Sequence, residues 1–165
     1  MFPPLTVLFD PNLDRNEIEE IIKQMVKIYN LEIKAVRSLR PNLRAYNWSR
    51  KQYNGQDLLN HLIDKENYRF FFWIIKDDLY VPVMNFVFGL ATQYYGALVS
   101  FYRLESTEMK IKESIHECGH ILGLEHCQSA CVMQYSNNLK EAKHKPSSLC
   151  VACQKIVEVN TKNFD

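Results

Sequence analysis

The 165-residue sequence has no apolar run near the roughly 18 residues that a membrane-spanning helix needs, which excludes such a span. Its formal net charge is only +1, so there is no general electrostatic case for a nucleic-acid partner. Five glycines and six prolines form no linker-like tract, and neither repeats nor low-complexity segments divide the chain. One domain over residues 1–165, long enough to bury a core, is the expectation. Nor does the N-terminus resemble a signal peptide: Met1-Phe2-Pro3-Pro4 has no basic segment and leads into a strand-like run. A cytoplasmic, reducing location follows as an expectation, with a monomer as the default state. One local bias stands out, since Lys34, Arg37, Arg40, Arg44, Arg50 and Lys51 face only Glu32 across residues 31–51. This is either an anionic-ligand patch or a solvated face.

What the chain does hold is concentrated in one run, His116-Glu117-Cys118-Gly119-His120-Ile121-Leu122-Gly123-Leu124-Glu125-His126. On a helix at about 100° per residue, His116 and His120 lie about 40° apart and one turn apart, so both imidazoles reach one ion. Glu117 falls about 60° beyond His120, within reach of a water on that ion without having to bind the metal. Gly123 permits a sharp or left-handed exit that can swing His126 back as a third nitrogen ligand. Three protein ligands and an open fourth position describe a hydrolytic zinc site rather than a structural one. The bland alternative is an amphipathic helix that happens to carry two histidines. Three of the five histidines in the chain fall at the set offsets, which favours the metal. Ile111, Ile115, Cys118 and Leu122 cluster on the opposite side, as a helix buried along one stripe requires.

Cysteine carries the second signal. Four of the five form the pairs Cys127-x3-Cys131 and Cys150-x2-Cys153, the spacing of two knuckles around a tetrahedral structural zinc. Two disulfides or four unrelated thiols are the alternatives, and a reducing compartment disfavours the former. Cys118, left over, reads as a small buried hydrophobe. Because Cys127 directly follows His126, a second metal there would hold the backbone that aims the last catalytic ligand. A weaker reading makes the four-cysteine unit, with Lys140, Lys143 and Lys145, a nucleic-acid contact.

Elsewhere the pattern predicts a strand at Leu5–Phe9 and a helix at Asn12–Tyr29, striped by Ile18, Ile21, Ile22, Met25, Val26 and Tyr29. A second strand at Leu31–Leu39 and a helix around Lys51–Asp64 follow. Phe70–Ile75 reads as a strand buried on both faces. Asn85–Ala91 and Ala97–Arg103 flank a hairpin turn at residues 92–96, and the site helix begins near Thr107 or Glu108. The class is an α/β sandwich with a mixed sheet.

The histidine run, followed by Met133 in Cys131-Val132-Met133-Gln134-Tyr135, resembles the metzincin metalloproteases with their Met-turn. The cysteines around that Met, Cys150-Val151-Ala152-Cys153, and the upstream run Asp78–Gly89 narrow the resemblance to the archaemetzincins. It implies a compact metzincin-like sandwich with a twisted mixed sheet, an antiparallel edge strand at Asn85–Ala91 bordering the cleft, an active-site helix and a zinc-stapled C-terminal segment. Residues 1–123 would supply the sheet and helices, and 124–165 the Met-turn and four-cysteine segment. By the same resemblance His116, His120 and His126 would bind a catalytic zinc, with Glu117 as general base. Cys127, Cys131, Cys150 and Cys153 would bind a second, structural zinc, and Met133 would floor the site. Tyr135, where phenylalanine is more usual, either approaches the metal or packs as core or pocket wall. The expected function is a zinc-dependent metalloprotease acting on peptides or proteins, with no nucleic-acid or membrane partner. The alternative is a zinc-stabilised binding module with little or no peptidase activity.

Overall fold

The computed structural model describes residues 1–164. β1 (Leu5–Phe9) is wholly buried and runs parallel to two neighbours, β2 (Ile33–Ser38) and β5 (Phe71–Ile75). Between β1 and β2 lies α1 (Arg15–Tyr29). It starts at Arg15 rather than Asn12: Asp14 is its cap and accepts from the Asn16 amide at 2.8 Å. Asn12 instead forms a turn on the Asp10 carboxylate, its amide 2.9 Å from Oδ1. Asn30, with φ of 51°, closes the helix in the left-handed region.

After a 3₁₀ turn at Leu43–Ala45 come two short strands, β3 (Tyr46–Asn47) and β4 (Gln52–Asn54), and then α2 (Gly55–Asn60). The helix expected over Lys51–Asp64 therefore begins four residues late. Gln52–Asn54 is drawn into a strand by β6 (Leu79–Val81), whose register is set by Tyr53 donating to Asp78 O at 2.9 Å. That partner is 25 residues away, and tertiary pairing overrides local preference. A π turn at His61–Lys65 ends the helical stretch.

β7 (Met84–Val87), β8 (Gly89–Thr92) and β9 (Gly96–Ser100) complete the strands. The main sheet has the order β2-β1-β5-β9-β8, parallel except for β8, which runs antiparallel to β9 and is a free edge. A smaller sheet has the order β3-β4-β6-β7. Asn85–Ala91 is thus not one strand. The chain changes sheets at buried Phe88, with Asn85–Val87 paired to β6 and Gly89–Ala91 to β9. The Phe88 carbonyl accepts from Ser100 N at 2.8 Å, while the Asn85 carbonyl is taken by Gln52 Nε2 at 2.9 Å.

β5, all of it buried, splits its side chains by the two-residue period of a strand. Phe72 and Ile74 pack with Ile18, Ile21 and Met25 of α1 and with α3 (Thr107–Ile121). Phe71, Trp73 and Ile75 pack with Leu58 and Leu59 of α2 on the other face. Burial of each such side chain contributes roughly 1.5–3 kcal/mol, and together they fix α3 beneath the free edge of β8. Two helices, α4 (Leu139–His144) and α5 (Val151–Lys162), close the C-terminal segment. Among the described residues, no helix is long and apolar enough to cross a membrane.

Candidate active site

α3 begins where its cap demands, with Ser106 Oγ accepting from Met109 N at 3.2 Å. It is not the one-stripe helix expected. Ile115, Cys118 and Leu122 are buried as foreseen and Ile111 partly so, yet Lys112, Glu113, His116 and Glu117 are buried too. A helix buried on its polar side must satisfy that side from neighbouring elements.

His116 and His120 show how this is done. Nδ1 of His116 lies 2.9 Å from Val132 O, and Nδ1 of His120 lies 2.7 Å from Leu124 O. A carbonyl only accepts, so each Nδ1 carries the proton and each neutral ring turns a bare Nε2 inward. Burial, the Lys145 charge and the neighbouring ring hold His116 well below the ordinary imidazole range, and burial brings His120 to about 4. Two lone pairs then face each other across 3.1 Å. With no proton between them, that approach is tolerable only around a cation. Four-coordinate zinc with nitrogen ligands at 2.0–2.1 Å would set a spacing of about 3.3 Å, so the donor set fits zinc. His126 joins because Gly123, at φ +88°, reverses the chain. Its ring centroid is 5.2 Å from that of His116 and 4.8 Å from that of His120. One ring nitrogen of each histidine falls within 4.8 Å of the others.

The four paired cysteines also converge, their sulfurs within 4.8 Å of one another. Cys127 Sγ and Cys150 Sγ are 3.8 Å apart, close to the ~3.8 Å edge of a tetrahedron with 2.3 Å metal–sulfur bonds. Cys150 caps α5, and the Cys153 amide beside it lowers its thiol to about 7, favouring the thiolate that a metal takes. Cys118 lies apart from this group, buried against the core, its thiol pushed up by burial. Met133 is fully buried on α3 at Gly119, where a Cβ would stand 2.5 Å from its sulfur. Tyr135 is 44% exposed, with its ring 5.0 Å from that of His126 and its hydroxyl 3.9 Å from Met84 Sδ. It therefore belongs to a cleft wall and not to the core.

The cleft, about 670 Å³, runs between Met84–Ala91 above and α3 with Tyr135–Asn137 below. Glu117 lies on its floor beside the histidines, and burial pushes its carboxyl up to about 8, with Glu113 adding repulsion and Lys145 offsetting it. β8 presses directly on this side chain: a Cβ on Gly89 would stand 2.6 Å from Glu117 Cγ.

Several residues at the site carry no motif. Glu113, one turn before Glu117, sits 2.7 Å from the Lys145 ammonium, both side chains buried. Glu113 was legible in principle as the same-face neighbour of His116, whereas Lys145 arrives from a distant loop and leaves no local signal. Its burial also removes it from any nucleic-acid contact, although Lys140 and Lys143 are exposed. Tyr29, whose hydroxyl donates to Ile115 O at 2.8 Å, ties α1 to the site helix. Arg50, read as part of a basic patch, donates instead to Met84 O and Asn85 O and so supports the cleft roof.

Comparison with known proteins agrees with this geometry. Residues 10–159 match the model of Peptidase family M54. The chain is 41% identical over 138 residues to an archaemetzincin of Nanoarchaeum equitans, covering 84% of this chain and 79% of that protein. It is 33% identical over 150 residues to one of Archaeoglobus fulgidus, covering 86% and 91%. The crystal structure of an archaemetzincin from Methanopyrus kandleri superposes with a TM-score of 0.86 at 30% identity, covering 98% of this chain and 96% of that one.

Proposed function

The chain belongs to Peptidase family M54, the archaemetzincins, and is a zinc-dependent peptidase with a histidine-triad site; on that premise we propose how its own residues divide the work. His116, His120 and His126 hold the catalytic zinc, and Cys127, Cys131, Cys150 and Cys153 hold a structural one. When bound, the catalytic zinc supplies Lewis acidity toward a carbonyl and a water and stabilises developing negative charge. The Val132 and Leu124 carbonyls lock the His116 and His120 rings in the orientation that binding needs. Glu117 is the general base: it accepts a proton from the attacking water and returns it to the leaving amine. Burial pushes its carboxyl up to about 8, which favours its holding the proton taken from the water until the amine leaves.

The unpaired outer edge of β8 holds an extended peptide by main-chain hydrogen bonds. Met133 forms the apolar floor and Tyr135 a side wall. Residues 1–123 and 124–165 act as one catalytic unit, because the second segment supplies the carbonyl that orients His116. Four thiols gathered as metal ligands suit a reducing, cytoplasmic compartment.

The observation that carries this reading is the pair of Nε2 lone pairs 3.1 Å apart, with Glu117 beside them under a free strand edge. Cleavage profiling of a complex peptide library by zinc-loaded wild type and zinc-loaded Glu117→Ala tests it. Cuts made by wild type alone are expected, while His120→Ala should lose the metal as well. Equal turnover by the Glu117→Ala protein would sink the general-base assignment, and no cuts by wild type would favour a binding module.

A further inference from the structure

We propose that the 3₁₀ turn Leu43–Ala45 and the tip of the β3–β4 hairpin form an exosite, a surface outside the cleft that docks an acidic, apolar-anchored segment of a protein substrate. The proposal rests on the peptidase reading above, and none of its residues binds metal or carries the proton.

Between Ile33 and Gln56 the chain has six basic residues, Lys34, Arg37, Arg40, Arg44, Arg50 and Lys51, and no acidic one. All six are exposed, and among the described residues none has a carboxylate partner. Of the 20 basic residues in the chain, the other 14 are set against all 19 acidic ones, a formal −5 for the remainder. The near-zero net charge therefore hides a cationic surface on an acidic protein.

A solvated face needs nothing more than charge, but this one also carries large apolar groups. Trp48 is 74% exposed at the hairpin tip, and Leu43 is 65% exposed on the 3₁₀ turn. The Trp48 ring stands edge-on to Tyr46 at 4.9 Å, and Tyr46 to buried Tyr53 at 4.8 Å, so the indole is braced rather than free. The 3₁₀ turn packs against β4 and α2, which keeps Arg44 beside the same small sheet. Braced tryptophan and arginine side chains anchor protein interfaces because they lose little conformational entropy on binding.

The position of the hairpin ties this surface to the cleft. Arg50, on the same tip, donates to Met84 O at 3.2 Å and Asn85 O at 3.1 Å, and lies over the Tyr80 ring at 4.1 Å. Met84 lines the cleft, so a chain leaving past it meets the hairpin tip next.

Charge selects the occupant. A short acidic segment neutralises the cationic surface and touches little else, and one apolar side chain within it covers Trp48 and Leu43. A nucleic acid or an anionic bilayer extends past the patch and meets the acidic remainder, which repels it.

The probe is a fluorescein-labelled dodecapeptide of aspartate and glutamate around one phenylalanine, titrated with zinc-loaded protein at low salt and followed by anisotropy. Saturable binding is expected. Arg44→Gln/Lys51→Gln should weaken it about 5-fold, as two exposed ion pairs warrant, and Trp48→Ala about 10-fold. These positions are exposed, and circular dichroism checks the fold. Trp73, the other tryptophan, is buried, so the unlabelled peptide should change the emission of Trp48. A peptide that the wild type cuts, joined to the dodecapeptide by a glycine-serine linker, should show KM lowered about 10-fold with kcat unchanged. Arg44→Gln/Lys51→Gln should remove most of that gain and cut the plain peptide as wild type does. Equal KM with and without the acidic segment, or undiminished binding by either variant, would overturn the exosite and leave the peptidase standing. Tighter binding of an oligothymidylate or of phosphatidylserine vesicles at the same salt would overturn it in favour of that partner. Acidic-peptide binding that both variants weaken, with no cuts of any peptide by wild type, would sink the peptidase reading and keep the docking surface.

Discussion

The carbonyl oxygen of Val132 lies 2.9 Å from Nδ1 of His116. The same residue is held from its other side, Val132 N donating to Ser148 O at 2.8 Å, and it is flanked by Cys131, whose sulfur accepts from Cys150 N at 3.3 Å. Cys127 N in turn donates to Met133 O at 2.9 Å. The four-cysteine cluster therefore supports two catalytic ligands, His116 through Val132 and His126 through its neighbour Cys127.

Replacing Cys150 and Cys153 by Ser should accordingly weaken zinc at the histidine site by about 10- to 100-fold, the usual cost of losing an outer-shell partner. Competition with a calibrated chelator measures it. Full catalytic-site affinity after loss of the structural ion would refute the coupling.

Gly89→Ala should act through Glu117. The added Cβ would stand 2.6 Å from Glu117 Cγ and 2.6 Å from Leu98 O, the second contact being rigid backbone, so the carboxylate has to move. Misplacing a reacting group by about 1 Å costs on the order of 100-fold in kcat. Zinc content by elemental analysis should stay at the wild-type level. An active Gly89→Ala enzyme would show that the position of Glu117 is not set by β8.

Arg103→Met tests the cleft roof. Arg103 donates to both oxygens of buried Asp78 at 2.8 and 2.7 Å and covers the Phe86 ring at 4.2 Å. Asp78 also receives Gln52, which reaches on to Asn85 O. Removing the guanidinium should cost about 2 kcal/mol in urea unfolding, a figure held down because Arg103 is 37% exposed. A loss below a few tenths would mean that water replaces it freely.

Asp77 offers a pH test remote from the metals. Burial, with Asp10 adding repulsion, raises its carboxyl above the ordinary range. A raised folded value means the contribution is intact below the unfolded pKa of about 3.9 and is lost as pH rises through the folded value. Asp77→Asn should match wild type at pH 3 and exceed it at pH 7 by less than about 1 kcal/mol, given its partial exposure. Urea unfolding at the two pH values decides, and an equal difference at both would contradict the assignment.

The sequence by itself determined the parts whose geometry is local. His116, Glu117 and His120 share a helical face by arithmetic, Gly123 supplies the reversal that returns His126, and β1, β5 and α1 follow from periodicity within a few residues. The two cysteine pairs likewise converge as their spacing implies. Tertiary structure alone decided what depends on distant partners. The pull of β6 turned residues 52–54 from helix into strand, and the exchange of sheets at Phe88 broke the expected edge strand in two. Lys145 was brought from solvent-like sequence to Glu113, and the Val132 carbonyl was placed on His116. Periodicity reports which face of an element is apolar. It cannot report which distant polar group will meet a polar face that the fold buries, because that partner is chosen by packing.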